Sequence, residues 1–270
     1  MSSETAAAND GFAETGEYLR FAEFLASCVR YRYVGVGVGP PGVGKTLSAK
    51  HYSSWDVLEP LFPRYAYTRK PPPEVASCRG VFYTAPVANS PALIAGEVER
   101  RRNLVNWLVD AAGREGTTQE PAEIPDRTAL LIVDEANRLK VTALEQPRDM
   151  YDRDGFGLVL LGMPGLEKSR ARYPQPCSRV GFVHRFHALG AAEARLVITE
   201  RAHLLDVGLP QEAFTDGEAV AATVRITGGN FRLMQRLLQQ VERVLAINDL
   251  AVVTPEAVEA AREALVIGAA

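Results

Sequence analysis

The sequence predicts an α/β fold over residues 16–189 and a smaller, all-helical region over residues 190–270. Three observations predict it. Short apolar runs such as Leu130-Leu131-Ile132-Val133 and Gly157-Leu158-Val159-Leu160-Leu161-Gly162 read as parallel strands covered on both faces. A Gly-rich octapeptide, Gly39 to Thr46, sits between one such strand and a helix. After Leu189 the pattern changes to helical periodicity.

The elements follow in order. Residues 1–15 are small, polar and acidic, and are expected to lack regular structure. Tyr18, Phe21, Phe24, Leu25 and Val29 recur at helical spacing, which predicts an amphipathic helix over 16–31. Tyr33 to Val38 is a buried strand, and Leu47 to Tyr52 lies in the helix after the octapeptide. Residues 60–79 carry Pro60, Pro63 and the run Pro71-Pro72-Pro73, and are irregular. Val81 to Thr84 is a second strand, followed by a helix from Pro91 to Ala112. A polar linker over 113–127 precedes the strand ending at Asp134-Glu135. Val180 to Phe186 is a fifth strand. Helices are expected over 191–206, 216–227, 230–247 and 254–266, the last capped by Thr254 with Pro255 at its first position.

Gly39-Pro40-Pro41-Gly42-Val43-Gly44-Lys45-Thr46 fits the phosphate-binding loop of nucleoside triphosphatases. Its glycines let successive N–H groups face one anion, and the following helix adds the positive end of its dipole. Lys45 would reach the outer phosphates of ATP, and the Thr46 hydroxyl would hold Mg²⁺. Leu47 completes the nucleotide-binding run at the start of the helix. Asp134 is the partner such a loop needs, ordering Mg²⁺, and Glu135 would polarise the attacking water. A lone Asp-Glu pair after a strand is weak evidence; an upstream phosphate loop makes it strong.

Bulk properties narrow the class. A net charge of −3 gives no global attraction to nucleic acid, so a DNA-binding surface must be a local patch. The three cysteines are far apart and lack metal-site spacing, which fits a reducing, cytoplasmic setting. The first residues resemble no signal peptide, and no apolar run is long enough to span a membrane. His184 and His187 flank Phe186 without a metal-ligand pattern.

The basic residues offer further sites. Arg232, in Gly228-Gly229-Asn230-Phe231-Arg232, would reach back to the nucleotide from the start of a helix. Lys168, Arg170, Arg172, Arg179 and Arg185 cluster before and within the last strand. Arg179 or Arg185 would enter a neighbouring subunit's site. Arg69 and Lys70, beside tyrosines, and Arg100, Arg101 and Arg102, in the third helix, are candidates for DNA-backbone contact. The competing reading for the last three is a solvated face with ion pairs to Glu97 and Glu99.

Taken together, the phosphate loop, the Leu-Leu-Ile-Val-Asp-Glu strand, the arginine-bearing last strand and the Gly-Gly-Asn-Phe-Arg helix resemble the AAA+ ATPases over residues 16–266. Asp134-Glu135-Ala136-Asn137-Arg138-Leu139, Leu160-Leu161-Gly162-Met163-Pro164-Gly165 and Arg185-Phe186 narrow the resemblance to the transposition regulators of the TniB, TnsC and MuB type. That resemblance implies a three-layer AAA+ domain over 16–189 and a helical lid over 190–270. It also implies an ATPase that assembles as a homo-oligomeric filament or ring on double-stranded DNA, largely without sequence preference. Such a protein marks a target and recruits or activates a transposase, alongside a target-selection protein, and ATP hydrolysis drives disassembly. Met163 departs from the family where a polar sensor is usual, so Asn137 orders the water or hydrolysis is slow. Lys45 and Asp134 also lie further apart than a minimal core needs, and the chain reads as a compact member. The alternatives are a helicase-loader type of AAA+ protein, a P-loop phosphotransferase, and a nucleotide-switch scaffold that scarcely hydrolyses.

Overall fold

The computed structural model describes residues 12–62, 71–114, 124–167 and 180–265. Its centre is a five-stranded parallel sheet in the order β2-β3-β4-β1-β5. The strands are β1 (Val34–Val38), β2 (Gly80–Thr84), β3 (Leu130–Asp134), β4 (Gly157–Gly162) and β5 (Val180–Arg185). Every residue of β1, β3 and β4 is buried, as expected of strands packed on both faces. The register pairs Val38 with both Gly162 and Arg185, so the C-terminal ends of β4, β1 and β5 lie side by side.

The helices before and between these strands are α1 (Gly16–Tyr31), α2 (Lys45–Tyr52), the single turn α3 (Trp55–Leu58), α4 (Pro91–Gly113) and α5 (Val141–Asp154). Helix α1 lies directly against β1, because Gly35 has no side chain. A Cβ at Gly35 would sit 2.6 Å from both Cys28 Sγ and Phe24 Cζ. Phe21, Leu25 and Cys28 are fully buried at this contact. Burial pushes the Cys28 thiol up to about 12, which leaves it protonated and unreactive. Helix α4 begins as its sequence directs, with the Ser90 hydroxyl accepting from the Leu93 N–H and Pro91 in the first turn.

Helix α5 is absent from the sequence expectations, since Pro147 lies inside it and a proline argues against a helix interior. It persists because it packs on α4 and β4, where Leu144 and Met150 are buried. Among the described residues around the expected irregular stretch over 60–79, Glu59–Leu61 and Pro73–Ser77 form 3₁₀ turns. Strand β3 stops at Asp134, one residue short of the expected Glu135.

Contacts divide the chain into two compact units. The sheet and the helices around it make up Arg20–Pro40 with Lys45–Phe186. The other unit takes the described residues of Met1–Leu19, Pro41–Gly44 and His187–Ala270. Its helices are α6 (Ala191–Glu200), α7 (Gly217–Thr227), α8 (Phe231–Asn248) and α9 (Pro255–Glu263). Met234, Leu237, Leu238, Val241 and Leu245 form one buried stripe of α8 at helical spacing. Asp216, Asn230 and Thr254 each cap a helix with a side-chain oxygen, worth about 1 kcal/mol apiece. The helix expected over 191–206 breaks at Arg201 into a 3₁₀ turn over Ala202–Leu205.

One basic residue departs from its expected place. Arg102 is buried, with its side chain 8% exposed, and it faces inward from α4. Its guanidinium pairs with Asp126 and with Asp154, the latter at 2.6 Å, and lies 4.8 Å from the Phe156 ring centroid. Asn106 completes the cluster through Asp126. Arg102 is therefore a structural cation and cannot reach a DNA backbone.

The cluster generates a pH dependence. Burial pushes the carboxyls of Asp126 and Asp154 upward, but hydrogen bonds and the Arg102 charge outweigh it and hold both below the usual carboxylate range. For an acid lowered on folding, the stability gained is complete above the unfolded value and is lost as pH falls through the folded one. Arg102→Ala is expected to cost about 3 kcal/mol, near the lower end for breaking a buried pair because Asp126 is half exposed. Urea unfolding between pH 3 and 7 should show that loss, together with a flatter acid limb than in the unaltered protein.

Candidate nucleotide site

The site is built on the ends of β1 and β3, at the C-terminal edge of the sheet. Strand β1 lies between β4 and β5, where the strand order reverses, and open α/β sheets bind ligands outside the strand ends at such a point. The backbone of the octapeptide continues β1 for one residue. Gly39 N–H donates to Gly162 O at 3.3 Å, and Gly39 packs on Phe186. Gly42 and Gly44 then take φ of 81° and 93°, which side-chain-bearing residues rarely adopt. Helix α2 starts at Lys45, so its free N–H groups face the loop.

Lys45 Nζ donates to Gly39 O and Pro40 O, each at 2.7 Å, which holds the ammonium within the turn of the loop. Thr46 Oγ1 donates to Asp134 Oδ2 at 2.8 Å. The sheet thus brings a hydroxyl and a carboxylate together from positions 88 apart in sequence. Asp134 is buried, and burial pushes its carboxyl up; hydrogen bonds from Thr46 and from the Glu135 N–H oppose this, as does Lys45. Pro40, Thr46 and Leu47 are exposed, while Val43 is partly covered.

Glu135 sits just beyond the strand in the left-handed conformation, φ 54° and ψ 34°. For a residue with a Cβ that costs roughly 1–2 kcal/mol. The strained turn carries its carboxylate past the strand end, where Arg138 Nη2 lies 3.6 Å away. Arg138 Nη1 also donates to Ala85 O at 3.1 Å, so it tethers this turn to the end of β2. Nothing local to the sequence signals that role beyond an arginine three residues after the glutamate. Asn137 lies beside Gly162, the last residue of β4. A Cβ at Gly162 would meet Asn137 Oδ1 at 2.9 Å, so this amide lies across the end of β4, and the Met163 side chain is 40% exposed.

Within the helical unit, which includes Pro41–Gly44, the start of α8 grips the loop turn. Asn230 Nδ2 donates to Pro41 O at 2.9 Å, and the Arg232 N–H donates to Gly42 O at 3.2 Å. A Cβ at Gly42 would come within 2.5 Å of Asn230 Oδ1. Arg232 is exposed beside this turn. From sequence alone Asn230 reads only as a helix cap.

The remaining candidates divide. Arg185 ends β5 opposite Val38 and is exposed, with Glu167 Oε1 3.8 Å away. Arg100 is exposed and pairs with Glu97 at 2.7 Å. Arg101 lies 5.4 Å from the Tyr83 ring centroid, with Nε buried. Arg179, Arg69 and Lys70 lie outside the described residues, as do Lys168, Arg170 and Arg172. His184 packs among Phe21, Phe24 and Phe186 in an aromatic cluster.

The donor set fits a nucleoside triphosphate with Mg²⁺. Mg²⁺ favours one or two protein oxygens completed by phosphate and water, and the Thr46–Asp134 pair has that character. Among the described residues no group of three His, Cys, Asp or Glu forms a self-sufficient metal cage. Asp134→Asn removes a buried carboxylate while leaving an acceptor for Thr46. The ligand-free protein should melt at a higher temperature, and Mg²⁺-dependent nucleotide affinity should fall about 10–100-fold. Differential scanning fluorimetry with and without Mg²⁺-nucleotide measures both.

Comparison with known proteins agrees with this geometry. Residues 29–169, more than half of the chain, match the AAA domain family. The chain is 38% identical over 269 residues to a "Potential ATP-binding protein" of Staphylococcus aureus, covering 96% of this chain and 98% of that protein. It is 30% identical over 134 residues to the Mu-like prophage FluMu DNA transposition protein B of Haemophilus influenzae, covering 47% of this chain and 45% of that protein. In fold it is similar to the RuvB Holliday junction branch migration motor of Thermotoga maritima. The TM-score is 0.55 at 18% identity, over 93% of this chain and 69% of that one. No described helix is long and apolar enough to cross a membrane. A phosphate loop after β1, an acid pair after β3 and the match over 29–169 place this chain in the AAA domain family of P-loop ATPases.

Proposed function

We propose that this protein is an ATP-dependent DNA-binding regulator of transposition. It assembles as a homo-oligomer on duplex DNA, marks the target site and recruits or activates a transposase, with a target-selection protein as a further partner. The observation that carries the nucleotide chemistry is the Thr46–Asp134 contact with Lys45 in the adjoining loop. The transposition reading is supported by the similarity to the prophage transposition protein B, reinforced by the family motifs after β3 and β4. Similarity in fold to a DNA branch-migration motor is compatible with a DNA client.

The chemistry assigns each residue a task. The loop N–H groups and Lys45 bind the β- and γ-phosphates of ATP. Thr46 and Asp134 would hold Mg²⁺, which would supply positive charge to the phosphate oxygens when bound. Glu135 accepts a proton from the attacking water, and Asn137 orients that water in place of a sensor after β4. Arg232 senses the terminal phosphate. Arg185 or Arg179 of a neighbouring copy adds positive charge as phosphate leaves, which ties hydrolysis to assembly. Hydrolysis then releases the oligomer from DNA, within the cytoplasm.

Two substitutions separate binding from turnover. Lys45→Ala is expected to abolish ATP-dependent DNA binding in a sedimentation assay; undiminished binding with ATP present contradicts ATP gating. Glu135→Gln is expected to bind ATP normally, to hydrolyse it about 10²–10⁴-fold more slowly, and to leave complexes on DNA that do not disassemble. Dissociation at the unaltered rate removes Glu135 as the water-activating group.

A further inference from the structure

We infer that the exposed turn Arg30-Tyr31-Arg32-Tyr33, running from the last two residues of α1 to the start of β1, together with Phe182 on β5, is a contact surface for the DNA backbone. The inference rests on the DNA-binding reading above and locates it. All four residues of the turn are exposed, with Tyr31 at 51% and Tyr33 at 43%. Their rings stack at 5.9 Å and 29°, and Phe182 joins them 5.5 Å from Tyr33. Arg30 lies over the Tyr31 ring at 5.3 Å. Among the described residues neither Arg30 nor Arg32 forms an ion pair, whereas Arg100, Arg102 and Arg185 each have a carboxylate within 4 Å. Two cations without acids alternate with two flat aromatic faces.

The occupant follows from that chemistry. Guanidinium groups take phosphate oxygens, and exposed tyrosine rings take a sugar edge or a base face. Two guanidinium groups without a carboxylate partner favour a polyanion over a protein surface of mixed charge. Since the chain carries a net charge of −3, attraction to a polyanion must come from such a local patch. The turn is also rigid. Tyr33 packs over Gly181, where a Cβ would come within 2.6 Å of the ring, and Tyr151 Oη donates to Arg32 O at 2.6 Å. It precedes β1, whereas the phosphate loop follows it, so the surface lies at the opposite end of the sheet from the nucleotide. Losing it should leave nucleotide affinity intact.

The test uses the whole chain with a non-hydrolysable ATP analogue and fluorescein-labelled duplex or single-stranded DNA of equal length. Arg32 has φ 51°, a conformation that favours glycine, so Arg30→Gln with Arg32→Gly removes both charges without straining the fold. This double variant should keep its melting temperature and nucleotide affinity, and lose at least about tenfold in DNA affinity. Its log–log salt slope should fall by about 2, one per phosphate contact. Tyr31→Leu should weaken DNA binding with little change in that slope, more for single strands if the ring stacks on bases. Unchanged affinity and slope in the double variant, while the unaltered protein binds DNA, overturns this inference and leaves the proposed function standing. Unchanged DNA affinity with lost self-assembly also overturns it, since the turn would then be an interface between copies. Failure of the unaltered protein to bind any DNA overturns both.

Discussion

A parallel sheet buried on both faces can present polar groups only where its strands end, and the chemistry of this protein depends on that constraint. Strands β1, β3 and β4 contribute no exposed side chain along their lengths. What they contribute is position. The register brings the ends of β4, β1 and β5 level, and the hydrogen bond from Thr46 to Asp134 joins the helix after β1 to the end of β3. Asp134 is enclosed at the end of the sheet, and burial raises its proton affinity. A carboxylate held at such a cost is poised to gain from a divalent cation.

The same edge explains where backbone strain is kept. Gly42 and Gly44 take positive φ at little cost, because nothing on their Cα opposes it. Glu135 takes a similar conformation with a full side chain, and so bears the penalty. The tether from Arg138 to Ala85 and the short turn Ala136–Arg138 hold it there.

Much of this was legible in the sequence, because the signals were local. The strand–loop–helix around Lys45, the apolar run ending in Asp134 and the Ser90-Pro91 helix start each announce themselves within a few residues. The illegible parts depended on distant partners. Arg102 reads as one of three surface arginines until Asp154, 52 residues away, closes on it across α4 and α5. Helix α5 is hidden by Pro147, whose local preference loses to packing against α4. The Arg-Tyr-Arg-Tyr turn reads as the end of a helix and the start of a strand. Only β5, folded beside β1, brings Phe182 against its rings.

Nucleotide state is proposed to control assembly on DNA, and one measurement bears on that most directly. Electron microscopy of the purified protein with a non-hydrolysable ATP analogue, with and without duplex DNA, should show ordered filaments or rings threaded by DNA. Those assemblies should be missing when ADP replaces the analogue. Monomers that ignore DNA in every nucleotide state would contradict the account, leaving a P-loop ATPase whose client is something else.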